Sequence, residues 1–304
     1  MSSILANCPD CGGGGIAMGP IPPTDNFAGR VLEKPLFGGS LWRCQRCSLG
    51  FRWPRLSKEE LDVLYQQGND ATWTAPFDSR RDWRIARDFV EKVLPCTSRI
   101  LDVGCFDGGF LEPLLTNYRC FGIEIHQAAQ KRAEHKGIEI VGSDFSEVAG
   151  EFDFVTAFDV IEHVERPRQF LEQCLSVVKP GGWVLISSGN LDAFSFRLMK
   201  SRYWYCTIAE HISFVSPRWV DKHATDLGYQ TTAHATFSHT LASVKSRIRE
   251  SAINCLYRAF PKIFSGLRRL GLGGKKVSAH AALAEHPPVW VSAKDHFIVM
   301  VQKR

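Results

Sequence analysis

Short apolar runs alternate with longer amphipathic segments from about residue 96 onward. This alternation is typical of an α/β domain built on a parallel sheet. The predicted strands are 99–103, 120–124, 138–145, 154–159, 183–187, 229–235 and 296–302. About 60 residues separate the last two, where a short connection is usual. The pattern therefore predicts a doubly wound seven-stranded sheet with a long insertion before its last strand.

A glycine-rich turn follows the first predicted strand and leads into a predicted helix at Phe110. Its first glycine is Gly104, its second is Gly108, and Asp102 precedes both. Glycine lets a ligand approach the backbone closely, and nucleotides bind beyond the carboxyl end of this strand in doubly wound folds. A dinucleotide site would favour Gly-x-Gly-x-x-Gly, because a pyrophosphate sits on the helix N-terminus. The acid ahead of this turn instead suits a ligand with a cationic amino-acid end.

Three more acids, Glu124, Asp144 and Asp159, stand at the ends of the next three predicted strands. Glu124 lies 22 positions after Asp102, a spacing at which a carboxylate can accept ribose hydroxyls. A single solvated acid, or a single glycine-rich turn, is weak evidence for a site. Their recurrence at successive strand ends favours a nucleotide-like ligand.

Three motifs in this order resemble the class I, Rossmann-like, S-adenosylmethionine-dependent methyltransferases, especially the branch shared by ubiquinone-biosynthesis and natural-product enzymes. The motifs occupy residues 102–105, 159–163 and 179–182, and the likeness runs from about 96 to 235. The resemblance implies an α/β fold with a seven-stranded doubly wound Rossmann-like sheet. It also implies an enzyme that uses S-adenosyl-L-methionine.

The resemblance further implies which residues bind this cofactor. Glu124 would hold the ribose, Asp144 would bond the adenine amino group, and Asp159 would lie near the methionine moiety. Phe106 stands where the family commonly has a third glycine, so its side chain narrows the loop. The full implied cofactor-binding set is Asp102, Gly104, Gly108, Glu124, Asp144, Phe145 and Asp159.

Histidine is the natural base near neutral pH for an acceptor that must lose a proton. His211 lies in a Glu-His-hydrophobic-x-aromatic segment similar to the one that faces the acceptor in the same branch. A tyrosine commonly precedes this pair by two positions in the sugar C-methyltransferases, but Ile208 stands there in this sequence. His163 is the second candidate base. The alternative for each histidine is a purely structural role, in which it packs at the start of a helix.

Two Cys-x-x-Cys pairs, Cys8 with Cys11 and Cys44 with Cys47, lie near the amino terminus. Two such pairs complete the tetrahedral four-sulfur shell of structural zinc, although a redox dithiol is the alternative. The stretch resembles the zinc-ribbon leader of several bacterial methyltransferases, including deoxysugar C-methyltransferases. Ser57, followed by an acid three positions later, then predicts a helix with a capping box.

These patterns divide the chain into a zinc-ribbon-like module at 1–57, a helical linker at 58–95 and a methyltransferase domain at 96–304. The domain carries a basic amphipathic helical insertion at about 238–293. The insertion could cap the active site with its apolar side, or it could lie on an anionic membrane through residues 241–276. Its apolar stripe comprises Val244, Ile248, Ala252, Leu256 and Phe260, followed by Ile263, Phe264, Leu267 and Leu270.

Composition indicates a globular protein and bears on its cellular compartment. A hydrophobic content of 44% and a charged content of 23% are ordinary globular values, so a chain of 304 residues can bury a large core. Neither a secretory signal nor a transmembrane run is visible, so we expect a cytoplasmic protein, with the inner membrane face as a peripheral location. Cysteines in that compartment act as thiols or metal ligands.

We therefore expect an S-adenosylmethionine-dependent methyltransferase with structural zinc and a small-molecule acceptor, such as a sugar, glycoconjugate or lipid-linked intermediate. One alternative is an RNA methyltransferase that uses the ribbon and the basic insertion. The Asn-Pro-Pro-aromatic motif of amino methylation is absent at 159–162, which disfavours nucleic acid. Another alternative is a non-catalytic, zinc-binding scaffold on the same fold. The oligomeric state is left open.

Overall fold

The computed structural model describes residues 6–68, 75–270 and 285–304. Among these residues the strands are β1 Gly15–Pro20, β2 Thr24–Phe27, β3 Arg30–Leu36, β4 Ser40–Cys44, β5 Gly50–Trp53, β6 Arg99–Val103, β7 Arg119–Ile123, β8 Glu139–Gly142, β9 Phe152–Phe158, β10 Val178–Gly189, β11 Ser213–Phe214, β12 Tyr229–Phe237 and β13 His296–Lys303. The helices are α1 Lys58–Gln66, α2 Arg81–Val93, α3 Gln127–His135, α4 Pro167–Ser176, α5 Phe194–Met199, α6 Pro217–Leu227, α7 Val244–Ala259 and α8 Pro261–Arg269.

These elements form two compact units, each assembled from three stretches of chain. Residues 75–189, 215–239 and 296–304 of the described chain form one, which we call the sheet unit. Residues 6–68, 190–214 and the described part of 240–295 form the other, the cysteine unit. Helix α1 of the cysteine unit has the predicted capping box, because Ser57 and Glu60 each accept a hydrogen bond from the other's backbone N–H.

The sheet unit contains a seven-stranded sheet in the order β12-β13-β10-β9-β6-β7-β8. The strands from β10 to β8 run parallel, and β13 runs antiparallel to both β10 and β12. Helix α3 connects β7 with β8 and α4 connects β9 with β10, whereas the connections from β6 to β7 and from β8 to β9 contain only short 3-10 turns. This order and the single reversed strand confirm the predicted Rossmann-like methyltransferase sheet.

The sheet buries its apolar residues against α2 on one side. Ile100, Phe154 and Leu185 come from three neighbouring strands and belong to one core cluster with Trp83 and Val90 of α2. The strands are nearly continuous apolar runs because both faces of a parallel sheet are covered. This packing fixes the positions at which the strands end.

Two predicted elements differ from the observed ones. The helix predicted at Phe110 is reduced to a single 3-10 turn, Glu112–Leu114. Pro113 cannot donate a backbone hydrogen bond, and the next strand begins at Arg119, so no longer helix fits. Strand β10 begins before the predicted turn at 180–182 and accommodates it as an irregularity in its pairing with β9.

The cysteine unit contains a four-stranded sheet in the order β1-β4-β5-β11 and a separate β2-β3 hairpin. Its core combines all three stretches of its chain. Leu41 comes from β4, Phe196 from α5 and Tyr257 from α7, and all three are buried in one cluster. The insertion before the last strand is therefore packed into the same unit as the amino-terminal module.

The insertion forms the predicted helix pair, but it does not bury the predicted apolar stripe. Val244, Ile248 and Leu256 are 72%, 65% and 52% exposed, whereas α7 buries Asn254 and Tyr257 instead. Most of the predicted stripe is therefore exposed among the described residues, although Phe264 packs against the core of the cysteine unit. Residues 271–276 of the predicted basic stretch lie outside the described residues. None of the described helices is long and apolar enough to cross a bilayer.

Gly108 offers a test of the turn after β6. Its φ is +75°, and a Cβ there would lie 2.0 Å from Cδ1 of Ile138. Gly108→Ala should lower the free energy of unfolding by about 2–5 kcal/mol, because the left-handed backbone costs roughly 1–2 kcal/mol and the clash adds about 1–3 kcal/mol. Urea denaturation of purified protein measures this change.

Gly181 provides the matched control, since its φ is +76° but a Cβ added there would have no other atom within 4 Å. Gly181→Ala should cost only the backbone term, about 1–2 kcal/mol. Equal losses in both variants would show that Gly108 is not sterically constrained.

Candidate functional site

The predicted acids converge at one edge of the sheet unit. Strand β6 pairs in parallel with β7 and β9, so the carboxyl ends of the three strands meet. Asp102 lies one residue before the end of β6, Glu124 directly follows β7, and Asp159 directly follows β9. The crevice at this edge is where doubly wound folds bind ligands.

The turn after β6 has a backbone that is left-handed at Gly104, Phe106 and Gly108, with φ of +72°, +49° and +75°. The Phe106 N–H donates to Oε2 of Glu124 at 2.8 Å. The guanidinium of Arg132 lies over the Phe106 ring, 5.1 Å from its centroid. A phenylalanine with positive φ is uncommon. The two contacts stabilise Phe106 in this backbone conformation, which glycine would adopt more readily.

Asp102 is 3% exposed and lies beneath this turn. The Thr156 hydroxyl of the adjacent strand β9 donates to its Oδ1 at 2.6 Å. Burial raises the pKa of Asp102 to about 7, although the bond from Thr156 opposes this and nearby Glu124 adds to it. The carboxyl group is therefore poised to change its charge near neutral pH.

Glu124 is also buried, and both of its oxygens are oriented by the backbone. Oε2 accepts from Phe106, and Oε1 accepts from the His126 N–H at 2.8 Å. Burial raises the pKa of Glu124, while the two N–H groups act in the opposite direction. Since each carboxylate oxygen has two lone pairs, Glu124 retains acceptor capacity for a ligand with two hydroxyls.

Asp144 and Phe145 follow β8, the strand next to β7. Asp144 is exposed, and its Oδ1 caps a short 3-10 turn by accepting from the Ser146 N–H at 2.9 Å. The Phe145 ring packs edge-on against Phe170 at 5.9 Å between centroids. Both residues therefore lie at the same edge of the sheet as the other acids, beyond the neighbouring strand β8.

Asp159 is engaged by residues that the sequence patterns did not indicate. Arg80 donates to Oδ2 of Asp159 at 2.7 Å and to both carboxylate oxygens of Asp82 at 3.0 and 2.5 Å. Burial disfavours the Asp159 carboxylate, but Arg80 and nearby His239 outweigh it and lower its pKa to about 2. Asp159 is therefore ionised at any physiological pH.

Asp82 is fully buried in α2, on the same face as Ala86 and Val90. Its position was detectable from the sequence, because an acid at i with apolar residues at i+4 and i+8 interrupts a helix's buried face. Nothing in the sequence pattern indicated His239 or Arg80. His239 lies just after β12 and Arg80 just before α2, so neither belongs to a periodic segment.

The two predicted bases lie in different units. His163 is partly buried in the turn after β9, within the sheet unit. His211 is buried in the cysteine unit, with Nδ1 3.2 Å from the Tyr205 carbonyl oxygen. Because a carbonyl only accepts, Nδ1 carries the proton, and the neutral ring has its lone pair on Nε2.

Arg52 holds the His211 segment in the cysteine unit, and sequence reasoning missed it. Its guanidinium is buried and donates to the carbonyl oxygens of His211, Cys206 and Ile208, at 3.1, 2.7 and 2.8 Å. A fourth bond reaches the Gly38 carbonyl at 2.8 Å. Burial lowers the pKa of Arg52 to about 10, so it stays charged at neutral pH. One side chain thus ties β5 to the loop that carries the candidate base.

The four amino-terminal cysteines come together, as predicted. Their sulfur atoms all lie within 4.8 Å of one another, with Cys8 and Cys47 3.6 Å apart and Cys11 and Cys44 3.4 Å apart. Zinc–sulfur bonds of about 2.3 Å in a tetrahedron separate the sulfurs by about 3.8 Å. The cluster is therefore compatible with a structural zinc ion whose ligands are all supplied by the protein.

A family model described as "Methyltransferase domain" matches residues 77–234. This span is about half of the chain and contains most of the parallel sheet and its acidic strand ends. The chain belongs to this methyltransferase-domain family.

Curated relatives include ubiquinone biosynthesis O-methyltransferases from two Bordetella species. The protein of Bordetella avium is 34% identical over 34% of this chain and 49% of its own length. That of Bordetella bronchiseptica is 27% identical over 52% of this chain and 73% of its own. The chain thus spans about half the length of the first of these relatives.

Among solved structures, a SAM-dependent methyltransferase from Archaeoglobus fulgidus aligns with a TM-score of 0.47 and 18% identity. The alignment covers 81% of this chain and 100% of that one. Family membership accordingly rests on the family model.

Removing one thiolate tests the cysteine cluster. Cys47→Ser should lose about one zinc ion per chain, because a structural site needs all four ligands, and should lower amide-exchange protection in β1 and β4. Metal analysis by mass spectrometry and hydrogen exchange measure the two effects. Cys96→Ser, at an exposed cysteine outside the cluster, is the matched control. Unchanged zinc content in Cys47→Ser would exclude the site.

Proposed function

We propose that the protein is an enzyme that transfers a methyl group from S-adenosyl-L-methionine to a small-molecule acceptor. The observation that carries this proposal is the pair of buried carboxyl groups, Asp102 and Glu124, on either side of the left-handed turn at 104–108. Two acids and a close backbone approach suit a ligand with an ammonium group and a ribose, and no phosphate.

The residues present fit this cofactor, which supplies an electrophilic methyl group on a sulfonium sulfur. Asp102 would hold its cationic amino-acid end, and Glu124 would accept the ribose hydroxyls with its remaining lone pairs. Asp144 would accept from the adenine amino group beside Phe145. Asp159, held by Arg80, would border the methionine end. Gly104 and Gly108 would let the ligand approach the backbone.

His211 is the proposed general base, and His163 is the second candidate. The acceptor's oxygen, nitrogen or carbon forms a bond to the methyl carbon as the sulfur–carbon bond breaks, and the acceptor's proton passes to the base. The Nδ1–H bond to Tyr205 supports this role, because it leaves the lone pair of the neutral ring on Nε2. A positioned base contributes roughly 10²–10⁴-fold to such a reaction.

Two observations, one on the relatives and one on the surface of the insertion, support the proposed acceptor class. The curated relatives are named for O-methylation in ubiquinone biosynthesis, which favours a hydroxyl-bearing acceptor. The exposed apolar stripe of α7 and α8 lies among basic side chains, which favours a lipid-linked acceptor at an anionic membrane. A sugar or glycoconjugate carried on a lipid fits both. A structural zinc ion in the four-cysteine cluster would stabilise the cysteine unit.

The activity is tested by incubating the purified protein with methyl-labelled cofactor and a cell extract divided into lipid, glycan and nucleic-acid fractions. Label in the lipid or glycan fraction that is lost in Glu124→Gln supports the proposal. Label confined to nucleic acid would instead establish the alternative activity. No transfer and no cofactor binding would establish a scaffold.

Cofactor binding should depend on pH through Asp102. Its pKa of about 7 means that the carboxyl group is largely protonated below pH 7, and it must lose this proton to hold an ammonium group. Affinity for S-adenosylhomocysteine should therefore rise with pH and level off above 7, weakening about tenfold per pH unit below 7. Titration calorimetry from pH 5 to 8 measures this.

Asp102→Asn separates this effect from the titration of other groups. The variant should bind more weakly, with a pH dependence much flatter than that of the wild type. The same slope in both proteins would show that Asp102 does not contact the cationic group.

The membrane contact is tested by sedimentation with vesicles of phosphatidylcholine alone or mixed with phosphatidylglycerol. Binding should require the anionic lipid and weaken with salt, since basic residues supply about 1 kcal/mol each near such a surface. The double variant Ile248→Glu/Ile263→Glu, at residues 65% and 58% exposed, should abolish it. Val31→Glu, at a 69% exposed residue of β3, should bind like wild type. Sedimentation of the double variant at the wild-type level would refute the membrane contact.

A further inference from the structure

Three metal-ligating side chains meet at the edge of the sheet unit. Asp159 follows β9, His239 lies two residues after β12, and His296 is the first residue of β13. One ligand atom from each lies within 4.8 Å of those of the other two. The two imidazole rings are 4.6 Å apart between centroids, at an interplanar angle of 74°. The topology, with β13 between β12 and β10, is what brings these distant positions together.

The Asp159 carboxylate has one oxygen to spare for a ligand. Its Oδ2 accepts from Arg80, whereas its buried Oδ1 has no hydrogen-bond donor among the described residues. A buried acceptor without a donor costs roughly 1–3 kcal/mol, and more when it is charged. Such an atom therefore calls for a cation or a donor from outside the protein chain.

Asp82 supplies a carboxylate behind His239. Its Oδ1 lies 3.8 Å from Nδ1 of His239, and the same buried carboxylate is fixed by Arg80 and by the Ser187 hydroxyl. Histidines that ligate metals commonly have a carboxylate behind the ring, which sets the orientation of the ring. The arrangement fits a metal-binding role for His239, in which Nδ1 faces Asp82 and Nε2 binds the metal ion.

The charge of the cluster also favours a cation. Asp82 and Asp159 contribute two negative charges, and Arg80 contributes one positive charge, so the cluster is negative when both histidines are neutral. Metal bonds of about 2.0–2.2 Å in a tetrahedral site place ligand atoms about 3.3–3.6 Å apart. The three ligand atoms lie within 4.8 Å of one another, so binding requires side-chain rotations that shorten these separations by up to about 1.5 Å.

We propose that Asp159, His239 and His296 bind a first-row divalent transition-metal ion, with Asp82 positioning His239. Two imidazoles and one carboxylate form a ligand set suited to zinc, iron, cobalt or manganese, and three protein ligands leave coordination positions open. The site is separate from the four-cysteine cluster, whose thiolates favour zinc.

An open position would let the metal bind an acceptor hydroxyl and lower its pKa, so that the oxygen attacks as an anion. This role rests on the proposed methyl transfer, but the binding of metal does not. Binding is therefore measured without cofactor or acceptor, on tag-free protein whose cysteine cluster has first been loaded with zinc.

Cobalt(II) is the probe, because it does not displace zinc from thiolates and it shifts nearby nuclear magnetic resonances. One equivalent should bind in titration calorimetry and shift the ring resonances of two histidines. His239→Ala and His296→Ala should each weaken binding by at least about 100-fold, since each removes a ligand. Asp82→Asn should weaken it by about 10–100-fold, as expected for the carboxylate behind a ligand.

His234→Ala, at an exposed histidine on β12, is the matched control and should bind cobalt like the wild type. If a variant is poorly folded, the histidine shifts in the wild-type protein still decide the question. Absence of cobalt binding, or large contact-shifted ring resonances that belong to histidines other than His239 and His296, would overturn the proposal. So would binding that survives both histidine substitutions. Persistence of metal binding in a protein that transfers no methyl group would contradict the proposed function alone.

Discussion

The parallel pairing of β6 with both β7 and β9 is the constraint on which the candidate site depends. It places three strand ends side by side, so the residues at those ends must share one crevice. Asp102, Glu124 and Asp159 are 57 positions apart along the chain at their extremes, yet they lie at the same edge. Any change that shifted the register of β6 would separate the acids from the turn.

This edge is kept in an energetically unfavourable state. Phe106 and Asp159 both have left-handed backbones, with φ of +49° and +52°, and such positions cost of order 1–3 kcal/mol each. Asp102 is buried with a raised pKa, while Asp159 is held ionised by Arg80. Perturbed and opposed pKa values of this kind concentrate at functional sites, because binding and proton transfer need groups poised between charge states.

The cysteine unit illustrates how separate stretches of chain become one structure. The amino-terminal sheet, the loop with His211 and the helix pair of the insertion share a core, and Arg52 bonds to four backbone carbonyls to hold the loop. A buried guanidinium with all these acceptors specifies a single loop conformation, since leaving any carbonyl without a donor is costly. Within the cysteine unit, the loop that Arg52 holds thus carries the candidate base.

The sequence by itself determined the sheet strands, the acids at their ends, the cysteine cluster and the capping box at Ser57. Each depends on local periodicity or on short spacings, which one stretch of chain sets alone. Tertiary structure decided the rest. It brought His239 and His296 to Asp159, placed Ser187 and His239 beside Asp82, buried Arg52 among carbonyl groups that are distant in sequence, and left the stripe of α7 exposed. These outcomes depend on which surfaces meet, and hydrophobic periodicity marks a face of a helix without specifying what covers it.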